Sequence, residues 1–211
     1  AGRPAALEGK VPAVGRDPVT VICATYGDLH EWDALAQQRA MPSVLAQTRK
    51  ARYLRVHAST LAAARNRGAE LAETEWLVFL DADDELDPRY VAEMMDADGD
   101  LRSPAVQYVR DGVAEPARLL RPKPIAQGNW MVIGTAVRRE TVLAVGGFRE
   151  WPMYEDWDLW WRCMNTGAVN VQVPGAVYRA HVRDGSRNEQ VHAAKRRAFA
   201  QIRAANGAGG E

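Results

Sequence analysis

Residues 76–80, Trp-Leu-Val-Phe-Leu, form an unbroken apolar run, and three of the next four positions are aspartates: Asp81, Asp83 and Asp84. Five β-prone apolar residues in a row predict a strand covered on both faces. The aspartates impose the opposite demand. Like charges at close range repel, and burying them is costly unless something positive is bound. A chain carrying both features must bring the end of a core strand to the surface and place its carboxylates there.

The flanking elements supply a frame in which that is possible. Residues 19–24, VTVICA, predict a first buried strand, ended by Thr25, Tyr26 and Gly27. The spacing over 32–47 is helical, with Pro42 expected to break it into two pieces. Residues 53–58 predict a short strand. A helix is expected over 60–73, with Leu61, Ala64, Gly68 and Leu71 on one face. Beyond the aspartates, Asp87 should cap a helix that has Pro88 at its first position. Strand, helix, strand, helix is the pattern of an α/β layered domain with a largely parallel sheet. Ligands of such sheets bind beyond the carboxyl ends of the strands, where Thr25-Tyr26 and Asp81-Ala82-Asp83 fall.

The second half is less regular. Strands are expected over 105–110, 117–121 and 130–138, and helices over 139–147 and 154–167, each stopped by glycine. Two further strands are expected on either side of Pro174-Gly175, and a last helix over 188–205. The division expected from this pattern is an arm over 1–18, one domain over 19–187, and a C-terminal helix and tail over 188–211.

Composition narrows the class. Twenty-seven acidic residues balance 27 basic ones, which argues against a general nucleic-acid binder. No apolar stretch approaches membrane-spanning length, and the first residues lack the apolar segment of a secretion signal. Cys23 and Cys163 are the only cysteines, both in apolar settings, and read as reduced core residues. Together these features set the expectation of a cytoplasmic protein.

An Asp-x-Asp at the end of a buried strand suits a hard divalent cation, which takes oxygen ligands and shares its remaining positions with phosphate oxygens. Turn and helix-cap duty would also account for aspartates here. The neighbours decide between the two. The run LAAARNRGAELAETEWLVFLDADDEL (61–86) resembles the inverting glycosyltransferases of family 2, with their Ala-Arg-Asn-x-Gly helix, apolar strand and Asp-x-Asp-Asp. Downstream, VGGFREWPMYEDWDLWWRCMNTG (145–167) is similar to their Gly-Gly-Phe, Glu-Asp-x-Asp-Leu and Arg. VTVICATY resembles their first strand, and YRAHVRDGS (178–186) the segment where many members place a metal-binding His. Any one of these motifs is weak. Four in order at plausible spacing are strong.

The resemblance implies a GT-A fold, a single Rossmann-like domain with a mostly parallel sheet flanked by helices. It also implies roles. The donor would be a UDP- or GDP-linked sugar, held by Thr25, Tyr26, Arg65, Asp81 and Ala82. Mn2+ or Mg2+ would bind Asp81, Asp83 and His181. Asp156 would be the general base, in preference to Asp158, which points away from it two positions along a helix. Aromatic faces stack on sugars, so Trp130 and Trp157, with Glu155, are candidates for the acceptor side. The acceptor itself (glycan, protein or small molecule) is not named by the sequence.

The match departs from the family in one place. The family's second strand ends in a Val-Asp-Asp-Gly-Ser-like run whose acid reads the base. Here no aspartate occurs from Lys50 to Arg65, and Asp28, Glu31 and Asp33 are the nearest acids that could replace it. Two other readings compete. FLDADDEL resembles the first motif of haloacid-dehalogenase-like phosphatases, but Glu85 stands where they carry Thr or Val, and a strand and two helices precede the motif. A non-catalytic nucleotide-sugar or glycan binder on the same fold is the other, opposed by the intact Asp-x-Asp and Glu-Asp pairs.

Overall fold

Strand β1 (Val19–Tyr26) lies at the centre of one half of the sheet, parallel to β2 (Arg52–Ala58) on one side and to β3 (Trp76–Leu80) on the other. The computed structural model describes residues 18–182 and 192–207; residues 1–17 of the expected arm, residues 183–186 of the last motif, the first residues of the expected last helix (188–191) and the tail after 207 lie outside them. All five residues of β3 are buried, as an apolar run covered on both faces requires. The parallel register places Thr25 beside His57 and Cys23 beside Leu80, so the three strands end on one edge.

The remaining strands extend a mixed sheet. β7 (Ala136–Arg138) pairs antiparallel with β3 and with β5 (Leu101–Arg110). β5 runs parallel to β8 (Asn170–His181), and the two-residue strand β4 (Glu85–Leu86) closes the order β2-β1-β3-β7-β5-β8-β4. A short β6 (Val113–Ala114) folds back on β5. Seven helices accompany the sheet among the described residues: α1 (Leu29–Gln38), α2 (Ala40–Leu45), α3 (Leu61–Leu71), α4 (Tyr90–Asp96), α5 (Arg139–Ala144), α6 (Glu155–Asn165) and α7 (His192–Gly207). The whole is one α/β domain with a mostly parallel sheet, as expected. Among the described residues no helix is long and apolar enough to cross a membrane.

Several sequence-based expectations are corrected. The break in the first helical stretch falls at Arg39, not Pro42; Pro42 sits in the first turn of α2, where a missing N–H costs nothing. Asp87 does not cap α4, which begins at Tyr90; its carboxylate accepts the Arg89 N–H at 3.2 Å and pairs with Arg179 at 2.6 Å. Leu71 is 46% exposed, and the buried face of α3 is made instead by Ala62, Ala64, Arg65, Gly68 and Ala69. Only the last three residues of 130–138 form a strand, because the Tyr178 ring lies against Gly134 and bends the chain there. Residues 117–121 contribute a single bridge, Arg118 to Val106. The two strands around Pro174-Gly175 are one: both halves pair with β5 in the same direction, and a register shift opposite Pro104/Ala105 absorbs the Pro-Gly pair.

The core is packed tightly where α3 crosses β1. A Cβ on Gly68 would stand 2.4 Å from Ile22 Cγ2, on a side chain fully buried in the main core. Alanine there gains about 1 kcal/mol of helix propensity. Overpacking a dense core costs about 1–3 kcal/mol. Gly68→Ala is therefore expected to lower the unfolding free energy in a denaturant titration, and a stabilised variant would show that α3 can lift from β1 at no cost.

Candidate active site

Arg65 is the buried centre of the site. The helix α3, capped by the Thr60 hydroxyl on the Ala63 N–H at 3.1 Å, carries it under the carboxyl edge of the sheet, where its side chain is 2% exposed. Its guanidinium donates to Asp81 Oδ1 at 2.9 Å and to Glu155 Oε1 at 2.8 Å. Phe148 lies under it, 5.1 Å from the guanidinium carbon to the ring centroid. Burial opposes its charge, but Asp81 first and then Glu155 and Asp156 outweigh this and hold the guanidinium charged. One cation thus ties the end of β3 to the start of α6.

Asn66, the next residue, does comparable work on the backbone. Its amide donates to the Phe148 carbonyl at 2.9 Å and accepts the Phe148 N–H at 2.7 Å. The Gly146-Gly147 turn before Phe148 has both residues at positive φ, and a Cβ on Gly147 would meet Asn66 Oδ1 at 2.3 Å. The Ala-Arg-Asn and Gly-Gly-Phe motifs are two sides of one contact.

The aspartates after β3 divide. Asp81 is partly exposed beside Arg65. Asp83 offers its carbonyl to Arg39 Nη1 at 3.0 Å. Asp84 is buried, accepting the Tyr178 hydroxyl at 2.7 Å and the His181 N–H at 2.8 Å. Burial pushes the Asp84 carboxyl well above the ordinary carboxylate range, and the charges of Asp81 and Asp83 push the same way. The cluster is made of oxygen donors, which fits a hard divalent cation. The His181 Nε2 meets Glu85 Oε2 at 2.6 Å, the kind of carboxylate contact that orients a metal-binding imidazole. Among the described residues no three acidic, His or Cys side chains make a complete cage, so a cation here would need oxygens from its ligand.

Helix α6 opens on Tyr154, a non-glycine residue in the left-handed region at φ 63°. Such a conformation costs on the order of 1–3 kcal/mol and clusters at functional sites. It delivers Glu155 to Arg65 and leaves Asp156 half-buried beside it. Asp156 Oδ1 accepts the Trp157 N–H at 2.8 Å, and Oδ2 accepts Asn129 Nδ2 at 2.9 Å. Burial first, then the neighbouring Glu155 charge, raises its carboxyl to about 6. Asp158 is fully buried and bound by Arg162, Arg149 and Asn206, so it ties α6 to α7 and does not face the cleft.

A cleft of about 180 Å³ runs along this edge, lined by Tyr26, Thr60, Ala62, Glu150, Trp151 and Glu155 among others. Thr25, beside Tyr26, is buried with its hydroxyl 3.0 Å from His57 Nδ1. Ala82 is buried in the core. A second depression, lined by Asn66, Glu70, Leu143 and Gly146, lies away from the carboxylates.

Trp157 and Trp130 are corrected as ligand-stacking candidates. Trp157 is fully buried, 4.4 Å from the Phe199 ring of α7, with its indole N–H on the Ile125 carbonyl. Trp130 is 7% exposed in the main core. The tryptophan that reaches the cleft is Trp151. Glu155 lines the cleft, but it is committed to Arg65. Of the acids that might replace the missing base reader, Asp28 caps α1 and Asp33 pairs with Arg55. Sequence reasoning missed Asn129, Tyr178 and the double duty of Arg65; Arg65 and Tyr178 stand inside recognisable motifs, and Asn129 does not.

The family profile described as Glycosyl transferase family 2 matches residues 33–147, more than half of the chain. No curated protein matches significantly. Among solved structures, S. aureus TarS 1-349 in complex with UDP-GlcNAc superposes with a TM-score of 0.63 at 15% identity, over 82% of this chain and 61% of that one. Its complex with UDP gives 0.60 at 14% identity, over 87% and 70%. A further structure of TarS 1-349 gives 0.60 at 15%, over 77% and 60%, so this chain spans about 60% of its length. At such identity the likeness is one of fold.

The raised Asp156 carboxyl has a consequence for stability that needs no substrate. Between about pH 4 and 6 the folded protein keeps a proton that the unfolded chain has released, so the unfolded state binds fewer protons and stability falls as pH rises through this window. Asn cannot ionise. Asp156→Asn is expected to match the parent at pH 4 and to exceed it above pH 6 by on the order of 1 kcal/mol, read by thermal unfolding at both pH values. A variant less stable than the parent at pH 7 would contradict the shift.

Proposed function

From the premise that this chain belongs to glycosyl transferase family 2, we propose that it moves a single sugar from a nucleotide-diphosphate sugar to an acceptor hydroxyl, with inversion. The observation that carries this reading is the Asp81–Arg65–Glu155 bridge, which sets the carboxylates after β3 one guanidinium away from Asp156. The end of β3 and the start of α6 are thereby joined through one side chain. The resemblance of fold to a protein solved with UDP-GlcNAc makes a UDP-linked sugar the first donor class to test, with GDP-linked sugars as the alternative. The phosphatase reading has no support from the family match.

In the proposed reaction the acceptor hydroxyl gives its proton to the Asp156 carboxylate as its oxygen attacks the anomeric carbon. The bond from that carbon to the diphosphate oxygen breaks on the opposite face, and the nucleoside diphosphate leaves. Direct displacement inverts the centre. A carboxylate near pH 6 in proton affinity is ionised at neutral pH yet basic enough to accept the proton. Tyr26, at the end of β1 and on the cleft, would contact the nucleoside, with the buried Thr25 behind it. Asp81 and Asp83, together with oxygens of the donor diphosphate, would hold Mn2+ or Mg2+, which would offset the charge building on the leaving diphosphate; among the described residues His181 does not join them in a three-residue metal site, and its Nε2 meets Glu85. Arg65 holds its two carboxylates in register.

Sugar-release turnover from a panel of UDP- and GDP-sugars tests the reading, run on the parent with and without chelator and on Asp156→Asn. The expected result is turnover that rises with pH through about 6, stops in chelator and falls roughly 10²–10⁴-fold in Asp156→Asn with donor affinity retained. Donor binding without turnover in the parent would favour the non-catalytic reading. Full activity in chelator would remove the metal, and near-parent transfer by Asp156→Asn would remove the base.

A further inference from the structure

We infer that Asn129 is the positioning residue for proton transfer, its amide holding the Asp156 carboxylate in place and in its ionised form. The inference rests on the assignment of Asp156 as base. Asn129 lies on the loop that follows the 3-10 turn Ile125–Gln127 and reaches α6 from 27 residues away in sequence. Its Nδ2 donates to Asp156 Oδ2 at 2.9 Å, and its Oδ1 accepts the Met131 N–H at 3.1 Å. The second bond fixes the amide's orientation. A flipped amide would set oxygen against the carboxylate and NH2 against an N–H.

The geometry leaves the carboxylate defined at both oxygens. Trp157 N–H donates to Oδ1 from the helix, and Asn129 donates to Oδ2 from the loop. The loop is seated on α6 a second time through the Trp157 indole N–H on the Ile125 carbonyl at 2.8 Å. The charges that bear on Asp156 are Glu155, on its own helix, and Arg65, on α3. Glu155 and burial favour the protonated form; Arg65, the Trp157 N–H and Asn129 favour the ionised one. Of these, Asn129 is the only neutral side chain. An amide NH2 can donate but cannot take the proton away, so it supports the base without competing for its task.

The Met131 bond would anchor the loop by itself, so a loop-anchoring role and a carboxylate-holding role can be separated. Asn129→Asp keeps an oxygen for the Met131 N–H and removes the donor to Asp156. Asn129→Ala removes both. The parent and both variants are titrated by carboxyl 13C NMR, with the Asp156 signal assigned by its loss in Asp156→Asn. The midpoint is expected to move upward by about one pH unit in Asn129→Ala and further in Asn129→Asp. The acid limb of the transfer rate should follow it. An unmoved Asp156 midpoint in Asn129→Ala would overturn the inference. So would an activity loss in Asn129→Ala that is uniform in pH and restored by Asn129→Asp, since only the loop anchor behaves that way. If instead Asp156→Asn transfers at the parent rate, the base assignment falls on its own, and the midpoint still decides whether Asn129 holds the charge.

Discussion

A guanidinium buried to 2% exposure must be met by anions from more than one direction, and in this fold they come from two distant segments. Asp81 stands at the end of β3 and Glu155 at the start of α6, 74 positions further on. Arg65 reaches both from α3, with the Phe148 ring beneath it. Neither half of the site could be assembled without the other. If α6 moved away, Arg65 would lose one of its two carboxylate partners and keep only Asp81. The proposed base is the next residue after Glu155, so the bond that stabilises the fold also sets where Asp156 can lie.

Around that pair the structure uses small residues to let backbones meet. Gly68 brings α3 onto Ile22 of β1, which carries Arg65 under the sheet edge. Gly147 brings its turn onto Asn66, one residue past Arg65. Arg162 then closes the same turn from α6, donating to the Val145 and Gly147 carbonyls at 2.6 Å while pairing with Asp158. Asn206 of α7 completes the Asp158 site at 2.8 Å. Residues that look alike in sequence have separated in function: Glu155 and Asp158 are counter-ions to buried arginines, and Asp156 between them is held by the Trp157 N–H and the Asn129 amide.

Much of this was legible in advance, for definite reasons. The run 76–80 could only be a covered strand, and the small and apolar residues over 60–73 fell at helical spacing. Errors arose where tertiary contact overrode local pattern. Residues 130–138 alternate like a strand, but Gly134 lies under Tyr178 and accepts the Tyr90 hydroxyl through its carbonyl. Pro174-Gly175 reads as a chain reversal, yet both flanks pair with β5 in one direction. Trp157 is helix-borne beside a proposed base, which suggests a ligand face; its side chain points instead to Phe199 of α7, a partner no local window contains. Asn129 was invisible because it acts on a residue 27 positions away from a segment with no motif of its own, and Tyr178, though inside a motif, acts on Asp84, 94 positions away.

The dependence on Arg65 can be measured without any substrate, by a double-mutant cycle in equilibrium unfolding. Arg65→Met, Glu155→Gln and the double variant isolate the Glu155 arm, because Arg65 keeps Asp81 when Glu155 alone is changed. Groups in one buried ion-pair network couple by roughly 0.5–3 kcal/mol. A coupling of about 1–3 kcal/mol, with the double variant less damaged than the sum of the single ones, is the expected result. Losses that add to within about 0.3 kcal/mol would contradict the claim that one buried cation joins the two halves of the site.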